Sequence, residues 1–385
     1  FNKGIVFLTL PIFTYLLSPS DFGIISIFAT FVSILIVFFG FNSHTSLVRR
    51  FHENENDFKD YLGTNLIFIV FINLFFLLMT YLFRVELSDF FKIDSKIILI
   101  ASIVASLSIF MQMELSYLQT SFQSKKYTKI LIIRNIVITF GALIWMNLLI
   151  EEKYLGKIYS DLLIMFFVFL YVFYKLYKMS NFSFNFNHLK YNFLYGIPLI
   201  PHSIAGLVLL QADRLMINKF LGEYETGIYS FASNVGMIMM VVVTAFNNAW
   251  IPIFYKMLNE SDFFSIELTI KKYIKVIFVI AFTLILFSKE IIFIMANSSY
   301  NVALDIVPII IISFVLVFLY TIYANYAFYK KKTLLISFFT FIAAIFNIIL
   351  NYYYLPIYGY IFAAYSTLFS YFLLFLLHYF NSKYI

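Results

Sequence analysis

The sequence predicts an all-α polytopic membrane protein, with about 12 transmembrane helices in two pseudo-repeated six-helix bundles around a central cavity. Two observations on composition and pattern lead to this fold class. Hydrophobic residues make up 62% of the chain and charged residues only 12%, whereas soluble domains carry about 25% charged residues. The apolar runs are about 20 residues or longer, which is the length that a helix needs to cross a bilayer. Because these runs do not alternate between apolar and polar residues, they are not the strands of a membrane barrel.

Twelve spans can be placed along the chain, and charges or turn-forming residues separate them, as at residues 18–21, 151–153 and 330–332. Three lysines crowd the start of the ninth span, so residues 253–275 are also compatible with an amphipathic helix lying in the membrane interface. The predicted spans are residues 3–17, 23–47, 61–83, 96–122, 128–150, 156–177, 192–220, 227–249, 268–288, 302–328, 333–354 and 358–380.

The distribution of Lys and Arg predicts the orientation of these spans. Counted together with the adjoining ends of the spans, the loops that follow even-numbered spans hold 16 Lys and Arg residues, and the loops that follow odd-numbered spans hold 7. Since Lys and Arg concentrate in cytoplasmic loops, both termini and the even-numbered loops are predicted to be cytoplasmic. The net charge of +7 fits this bias. It does not indicate nucleic-acid binding, because the basic residues are spread over several loops rather than gathered in one patch.

The composition and the short loops exclude several classes of function. The chain has no cysteine, which excludes disulfide frameworks, thiolate metal sites and cysteine nucleophiles. No segment between spans exceeds about 20 residues, so extramembrane catalytic chemistry has no domain to hold it, and the chain is not expected to be an enzyme. The sequence begins at Phe1 inside an apolar run that leads into a second span, which indicates a truncated start and no cleavable signal peptide.

An internal repeat relates the two halves of the chain. Residues 17–26 align without gaps on residues 221–230, and the lysine pairs at 125–126 and 331–332 have nearly the same separation. Six spans lie between the paired segments, so the halves have the same orientation, as in parallel repeats related by an axis along the membrane normal. The predicted domains are an N-terminal bundle of residues 1–180, a cytoplasmic linker of residues 181–191 and a C-terminal bundle of residues 192–385.

The seventh span carries polar residues that are unfavourable in lipid. An ionisable side chain near the bilayer centre costs at least ~2.5 kcal/mol, so each one needs a protein or water contact. At about 100° per residue, the polar side chains gather on one half of this helix, with His202 and Asp213 only about 20° apart. This face meets either neighbouring helices, as a structural seam, or a water-filled translocation pathway. Its members are His202, Gln211, Asp213, Arg214 and Asn218.

Prolines mark interruptions at corresponding places in the two halves. Pro198 and Pro201 open the seventh span, and Pro11 lies in the first span, which is its counterpart. Proline removes a backbone donor and kinks or breaks a helix, and interrupted helices at matching places in two repeats point towards a substrate site. The three prolines are therefore candidate hinges, with simple helix bending as the alternative.

Two further charges lie within predicted spans. Glu114 in the fourth span and Arg134 in the fifth lie at similar depth, which would allow them to pair and neutralise each other. Arg134 is also a candidate anion site, because a guanidinium binds phosphate oxygens through two parallel hydrogen bonds. No metal site is predicted.

Three segments carry a resemblance to a known family. They are residues 11–26, residues 195–252 and residues 347–359; the second includes the Gly196-Ile197-Pro198 turn, the pair Asp213-Arg214 and Trp250. In these segments the chain resembles the bacterial O-antigen and capsule-unit flippases. These proteins form the polysaccharide transporter family within the multidrug/oligosaccharidyl-lipid/polysaccharide flippase superfamily.

The resemblance implies a transporter of the bacterial inner membrane that works by alternating access. The implied substrate is an undecaprenyl-pyrophosphate-linked oligosaccharide for O-antigen or capsule biosynthesis, and the other expected partners are membrane lipid and other membrane proteins of polysaccharide assembly. No cofactor is implied beyond coupling to H⁺ or Na⁺, for which Asp213 and Glu114 are the candidates.

The alternatives to a flippase are a cation-coupled multidrug antiporter of the same fold and a membrane polysaccharide polymerase. The candidates for binding substrate in the cavity are Arg134, Arg214, Gln211, Asn218 and His202, with the two arginines on the pyrophosphate.

Overall fold

The computed structural model describes residues 2–53 and 57–382, and these ranges are almost entirely helical. Twelve long helices follow one another along the chain and coincide with the predicted spans to within several residues, except in the second and eighth spans. Their bounds are Asn2–Leu16 (α1), Pro19–Gly40 (α2), Phe58–Leu82 (α3), Ser95–Thr120 (α4), Ser124–Leu148 (α5), Tyr154–Met179 (α6), Phe186–Phe220 (α7, in several segments), Glu223–Asn259 (α8), Phe263–Leu286 (α9), Val307–Tyr329 (α10), Thr333–Tyr358 (α11) and Tyr360–Ser382 (α12).

The lengths of these helices agree with a polytopic membrane protein. Ten of them are long and apolar enough to cross a membrane by themselves. α9 is also long enough, but it meets the condition on apolar composition only together with the short helix Ser288–Met295, from which it is bent by 59°. The apolar part of α1, Phe7–Leu16, is shorter. Within the described ranges the structure therefore confirms the predicted all-α membrane fold, and α1, the first predicted span, is the shortest of the twelve long helices.

The second predicted span, residues 23–47, is wrong at its end. α2 stops at Gly40, and the next two residues, Phe41 and Asn42, have φ angles of 47° and 50°. Because a right-handed helix cannot continue through left-handed residues, the chain turns here. A separate helix, Ser43–Glu53, follows. The remaining short helices are Arg84–Phe91, Ser288–Met295 and the 3₁₀ helix Ser298–Asp305.

The interfacial helix considered for residues 253–275 does not form. Instead α8 continues as one helix of 37 residues to Asn259, and α9 begins at Phe263. Trp250 of α8 and Ile266 of α9 lie in one buried apolar cluster, which packs the end of one helix against the start of the next. This packing favours two long helices joined by a short turn over a separate helix in the interface.

The chain divides into two compact units. The first comprises Phe1–Thr9 and Ile24–Leu207, and the second comprises Leu10–Gly23 and Val208–Ile385. The predicted linker, residues 181–191, belongs to the first unit, where the Asn181 amide donates to Asp60 Oδ1 at 2.9 Å. The division therefore falls inside α7 and not at the linker.

Each unit is built from helices packed side by side. In the first unit, α6 packs along α5 and α4, and the short helix Ser43–Glu53 packs on α4. In the second unit, α12 packs against α10 and α11, and α10 packs against α8. Small residues at these contacts, such as Ala343, Ala363 and Ala364, are buried and allow close approach of the helices.

Two glycines of the internal repeat meet within the second unit. A Cβ on Gly23 would overlap the Glu223 carbonyl oxygen, and a Cβ on Gly227 would overlap the Pro19 carbonyl oxygen. In the alignment of the repeat, Gly23 corresponds to Gly227 and Pro19 corresponds to Glu223. The contact is therefore reciprocal, as expected when two equivalent segments cross, and it requires glycine on both sides.

Candidate functional site

A buried carboxylate lies in the second unit, where four helices meet. Asp213 begins the last helical segment of α7, Asp213–Phe220, and is only 3% exposed. Its carboxylate accepts three hydrogen bonds of 2.7 Å, from the Tyr229 hydroxyl on α8, the Asn351 amide on α11 and the Thr367 hydroxyl on α12. The structure thus directs three side chains from three other helices onto one acidic group.

Further amides and hydroxyls support these donors. The Asn351 amide also donates to Asn347 Oδ1 at 3.2 Å, one turn away on α11, and the Ser366 hydroxyl on α12 donates to Asn351 Oδ1 at 2.8 Å. All three side chains are fully buried. We refer to the whole set as the Asp213 cluster, which consists of Asp213, Tyr229, Asn347, Asn351, Ser366 and Thr367.

The Asp213 cluster has the chemistry of a site for a small cation or a proton. An ionised carboxylate inside an apolar span is costly unless positive charge or strong hydrogen bonding compensates it, and the three donors to Asp213 are neutral. Carboxylate, amide and hydroxyl oxygens are the ligands that hard cations take, and the cluster brings all three kinds together. Among the residues that the structure describes, no group of three or more His, Cys, Asp or Glu side chains could hold a metal ion.

The polar face predicted for the seventh span does not continue along the whole of α7. The helix contains a 3₁₀ turn at Ile197–Leu199 and a π-helical turn at Val208–Ala212. A π turn is wider than an α turn, so residues beyond it are rotated away from a regular projection. His202 is exposed in the first unit, whereas Asp213 is buried in the second. The regular projection that placed them about 20° apart therefore does not hold across the π turn, and a shared polar face stays a prediction.

The other substrate-binding candidates on α7 have varied surroundings. Arg214 is partly exposed, and its Nη1 donates to the Leu210 carbonyl oxygen of the same helix at 3.1 Å. Gln211 is half-buried within the π turn, and Asn218 is buried one to two turns further along. Arg214 follows Asp213 directly in the chain, but the described bonds of the Asp213 cluster do not include it. The substrate-binding role of these residues stays a prediction.

Glu114 is paired, but its partner is not Arg134. Glu114 on α4 is fully buried and forms an ion pair with Lys175 on α6. Arg134 on α5 is half-buried, and its Nε donates to the Met165 sulfur at 3.2 Å. The suggested Glu114–Arg134 pair is therefore wrong, because α6 packs against α4 and supplies the cation that neutralises Glu114.

The prolines interrupt α7 where the sequence predicts. Pro198 lies in the 3₁₀ turn Ile197–Leu199, and Pro201 lies at the start of the helical segment Ile200–Leu207. Pro11 lies inside α1, which remains helical across it. The change from the first unit to the second along α1 falls between Thr9 and Leu10, close to this proline. A hinge function at the three prolines stays a prediction.

The partners of Asp213 could not be recognised from the sequence. Tyr229, Asn351 and Thr367 lie on three other helices, and each is an ordinary polar residue in an apolar span. One signal was available: Asn347 and Asn351 are four residues apart, which places two amides on one face of a helix that is mostly apolar and aromatic. Polar side chains of this kind usually form hydrogen bonds between helices inside membranes.

Two protein-family models match the chain. The family described as "Polysaccharide biosynthesis protein" matches residues 1–258, which is more than half of the chain. The family described as MatE matches residues 198–353. The first match extends from α1 to the end of α8, and the second includes Asp213, Asn347 and Asn351 of the Asp213 cluster.

Two relatives from Haemophilus influenzae (strain ATCC 51907 / DSM 11121 / KW20 / Rd) are similar in sequence. The chain is 26% identical over 269 residues to "Lsg locus putative protein 1", a match that covers 67% of this chain and 64% of that protein. It is 24% identical over 348 residues to an "Uncharacterized membrane protein", covering 87% of this chain and 82% of the relative. The chain thus spans less than two thirds of the length of the first relative.

Several solved structures share the fold. The lipid II flippase MurJ in an inward closed conformation has a TM-score of 0.79 at 18% identity, covering 99% of this chain and 86% of that one. A multidrug resistance MATE family transporter of the MOP superfamily, in an inward-facing conformation, has a TM-score of 0.75 at 14% identity, covering 99% and 94%. At such identities the likeness establishes a common fold.

Proposed function

The chain belongs to the polysaccharide biosynthesis protein family, and from this premise we propose that it is a flippase for undecaprenyl-pyrophosphate-linked oligosaccharide repeat units. It is a transporter of the MOP superfamily. In the proposal it moves its substrate across the bacterial inner membrane by alternating access, for O-antigen or capsule biosynthesis, with both termini in the cytoplasm. Its partners are the lipid-linked oligosaccharide, membrane lipid and other membrane proteins of polysaccharide assembly.

The observation that carries this proposal is the match of the polysaccharide family to residues 1–258. This range includes the described part of the first unit from α2 to the middle of α7, together with Asp213 and Arg214. A flippase also fits a chain whose connections between helices are short.

The physical task is to carry a pyrophosphate and several sugars past about 30 Å of hydrocarbon. Unpaired charge in hydrocarbon is very costly, so the protein has to replace lipid with polar groups along the route. Arg214 and Arg134 are the proposed ligands of the pyrophosphate, because guanidinium groups bind phosphate oxygens through paired hydrogen bonds. Gln211, Asn218 and His202 are proposed as further ligands of the substrate.

Asp213 is proposed as the coupling site. The support is its burial and its three neutral donors, which leave the carboxylate without a described cationic partner at hydrogen-bond distance. Binding of H⁺ or Na⁺ at this carboxylate would remove the charge and alter the bonds that join α7 to α8, α11 and α12. Glu114 is the weaker candidate, because Lys175 already neutralises it.

The second candidate function is a cation-coupled multidrug antiporter. The observation that favours it is the match of the MatE family to residues 198–353, which contain most of the second unit. The two functions share the coupling site and differ in the substrate. An antiporter binds cationic or amphipathic drugs, whereas the flippase binds an anionic lipid carrier.

Depletion of the protein in its host distinguishes the flippase from the antiporter. Loss of the flippase is expected to leave lipid-linked oligosaccharide on the cytoplasmic face and to reduce surface polysaccharide, and expression of the wild-type chain is expected to restore both. The measurements are quantitative extraction of lipid-linked saccharides and labelling of surface polysaccharide. Unchanged saccharide pools, together with increased sensitivity to cationic drugs, would replace the flippase with the antiporter.

A further inference from the structure

A second polar site lies wholly within the first unit. A cavity of about 530 Å³ is bounded by α2, the turn after α2, the short helix Ser43–Glu53, the end of α4, the start of α5 and the middle segment of α7. We call it the polar pocket. The polar side chains that line it include Ser33, Asn42, His44, Gln112, Gln119 and Ser203.

The lining of the polar pocket is rich in hydrogen-bonding groups but uncharged. Within the described part of the chain, no Lys, Arg, Asp or Glu side chain lines it. Each amide offers donors and an acceptor, and each hydroxyl offers both. Burial lowers the pKa of His44, which lies on the short helix Ser43–Glu53 outside the long spans. Its imidazole is therefore neutral at neutral pH and offers one donor and one acceptor.

Asn42 presents an unfilled donor at the pocket wall. Its side chain is 5% exposed, and its Oδ1 accepts a hydrogen bond from the Ser203 hydroxyl at 3.3 Å. Its Nδ2 is buried and has no partner among the described residues. A buried donor without an acceptor is unfavourable. A ligand oxygen in the polar pocket could satisfy it.

The backbone that carries Asn42 is strained and held in place. Phe41 and Asn42 both have left-handed φ angles, of 47° and 50°. This conformation is uncommon outside glycine and persists only where surrounding packing enforces it. Gly196 of α7 supports the turn, because a Cβ there would overlap the Phe41 carbonyl oxygen, and the Phe193 ring meets the Phe41 ring edge-on at 6.1 Å. The first segment of α7 thus fixes the position of Asn42.

We propose that the polar pocket is a carbohydrate subsite that binds the hydroxyl groups of one sugar residue of the transported saccharide. This inference rests on the proposed function and names the part of the substrate that the first unit recognises. A phosphate would require cationic ligands, and a cationic drug would require a carboxylate or an aromatic cage. Sugar hydroxyls donate and accept at once, which matches neutral amides and hydroxyls. The volume of about 530 Å³ lies within the range of ligand pockets and suits a group of monosaccharide size.

The test compares two lipids with the purified full chain in nanodiscs. One lipid is undecaprenyl pyrophosphate without sugar, and the other is the lipid-linked oligosaccharide extracted from the depleted host. The variant Gln112→Met/Gln119→Met removes two amides from the pocket at nearly constant volume. We expect it to weaken binding of the sugar-bearing lipid about tenfold, as for two lost neutral hydrogen bonds, and to leave the bare lipid unaffected.

Two further variants distinguish an effect of the polar pocket from the effect of the Gln-to-Met exchange itself and from an effect on pyrophosphate binding. Gln123→Met makes the same exchange in the turn between α4 and α5, outside the pocket lining, and should bind both lipids as the wild type does. Arg214→Ala should weaken binding of both lipids to a similar extent, because it removes a proposed pyrophosphate ligand. Gln119 is exposed, so Gln119→Met alone is the variant to use if the double variant does not fold.

Each outcome of the binding experiment either supports or overturns the proposed carbohydrate subsite. A loss confined to the sugar-bearing lipid supports the subsite. An equal loss for both lipids, no loss for either, or equal binding of both lipids by the wild type overturns the subsite and leaves the flippase standing. Failure of the wild type to bind either lipid overturns the proposed function and the subsite with it.

Discussion

At the scale of single residues, Glu114 and Asp213, the two buried acids within the described ranges, differ in how their charge is compensated. Glu114 is neutralised by Lys175, an arrangement that stabilises a fold and leaves little affinity for another cation. Asp213 is held by a tyrosine, an asparagine and a threonine, which orient the carboxylate without neutralising it. Buried acidic residues in the same kind of helix are thus suited to two roles. The difference makes Asp213 the stronger candidate for coupling.

Replacement of Asp213 by Asn tests that role. The amide keeps the shape of the side chain but removes its charge, so the chain should fold while cation-driven transport falls at least about tenfold, the loss expected for ~1.4 kcal/mol of binding. Transport is measured in proteoliposomes with an imposed H⁺ or Na⁺ gradient. The matched control is Asp161→Asn, because Asp161 pairs with Lys157 at 2.8 Å and lies in the first unit. Wild-type transport by Asp213→Asn would exclude this residue from coupling.

Removal of Lys175 tests the structural role of Glu114. Lys175→Met leaves a buried carboxylate without its cation and should lower the free energy of unfolding by about 3 kcal/mol. The double variant Glu114→Gln/Lys175→Met should recover most of that loss, since no charge then remains buried. Unfolding in mixed micelles measures both, with Lys178→Met as the control on the exposed side of the same helix. A double variant as unstable as the single one would contradict the pairing argument.

The sequence allowed the buried charges to be identified but not their partners. Asp213 and Glu114 stand out because charge is rare in apolar spans. Lys175 lies at the end of the sixth predicted span, and nothing in the sequence shows that its side chain reaches Glu114 on α4. Asn351 and Thr367 are more than 130 residues from Asp213 in the chain, so only the packing of α7 against α11 and α12 reveals them. A projection of one helix contains no information about the helices beside it.

At the scale of elements, α7 shows which irregularities a sequence reveals. The 3₁₀ turn at Ile197–Leu199 was predictable, because Pro198 and Pro201 cannot donate to a regular helix. The π turn at Val208–Ala212 was not, since Val-Leu-Leu-Gln-Ala contains no proline or glycine. This turn coincides with the change from the first unit to the second. π turns often occur at functional sites, and here one directly precedes Asp213.

The crossing of α2 and α8 gives a prediction about packing. Gly227→Ala places a Cβ against the Pro19 carbonyl oxygen, so the variant should lose about 1–3 kcal/mol of stability through overpacking. Gly206→Ala is the matched control, because nothing lies within 4 Å of a Cβ at that position. Unfolding of both variants under the same conditions measures the difference. Equal stability of the two would show that the helices separate at this point at little cost.

At the scale of the whole molecule, two features of the sequence predicted the fold class. They are the high fraction of apolar residues and the spacing of the charged or turn-forming residues that separate the apolar runs. Runs of about 20 apolar residues can satisfy their backbone in a bilayer only as helices, and ten of the described helices meet that condition alone. The reciprocal contact of Gly23 and Gly227 joins the two segments that the sequence repeat pairs, residues 17–26 and 221–230. The division into units was harder to predict, because residues 10–23 and 208–220 belong with helices distant in sequence.

The orientation of the whole chain follows from its charges and can be measured directly, because the sequence has no cysteine to interfere. Glu151→Cys lies in a loop after an odd-numbered span and Lys332→Cys in a loop after an even-numbered one, and both positions are exposed. The bias of 16 basic residues against 7 predicts that a membrane-impermeant maleimide labels the first variant in intact spheroplasts and the second only after lysis. Gln119 of the polar pocket lies at the end of α4 that the same bias assigns to the cytoplasm. The reverse labelling pattern would contradict the predicted orientation but not the fold. It would place this pocket on the opposite side of the membrane, away from the cytoplasmic face at which the proposed substrate is loaded.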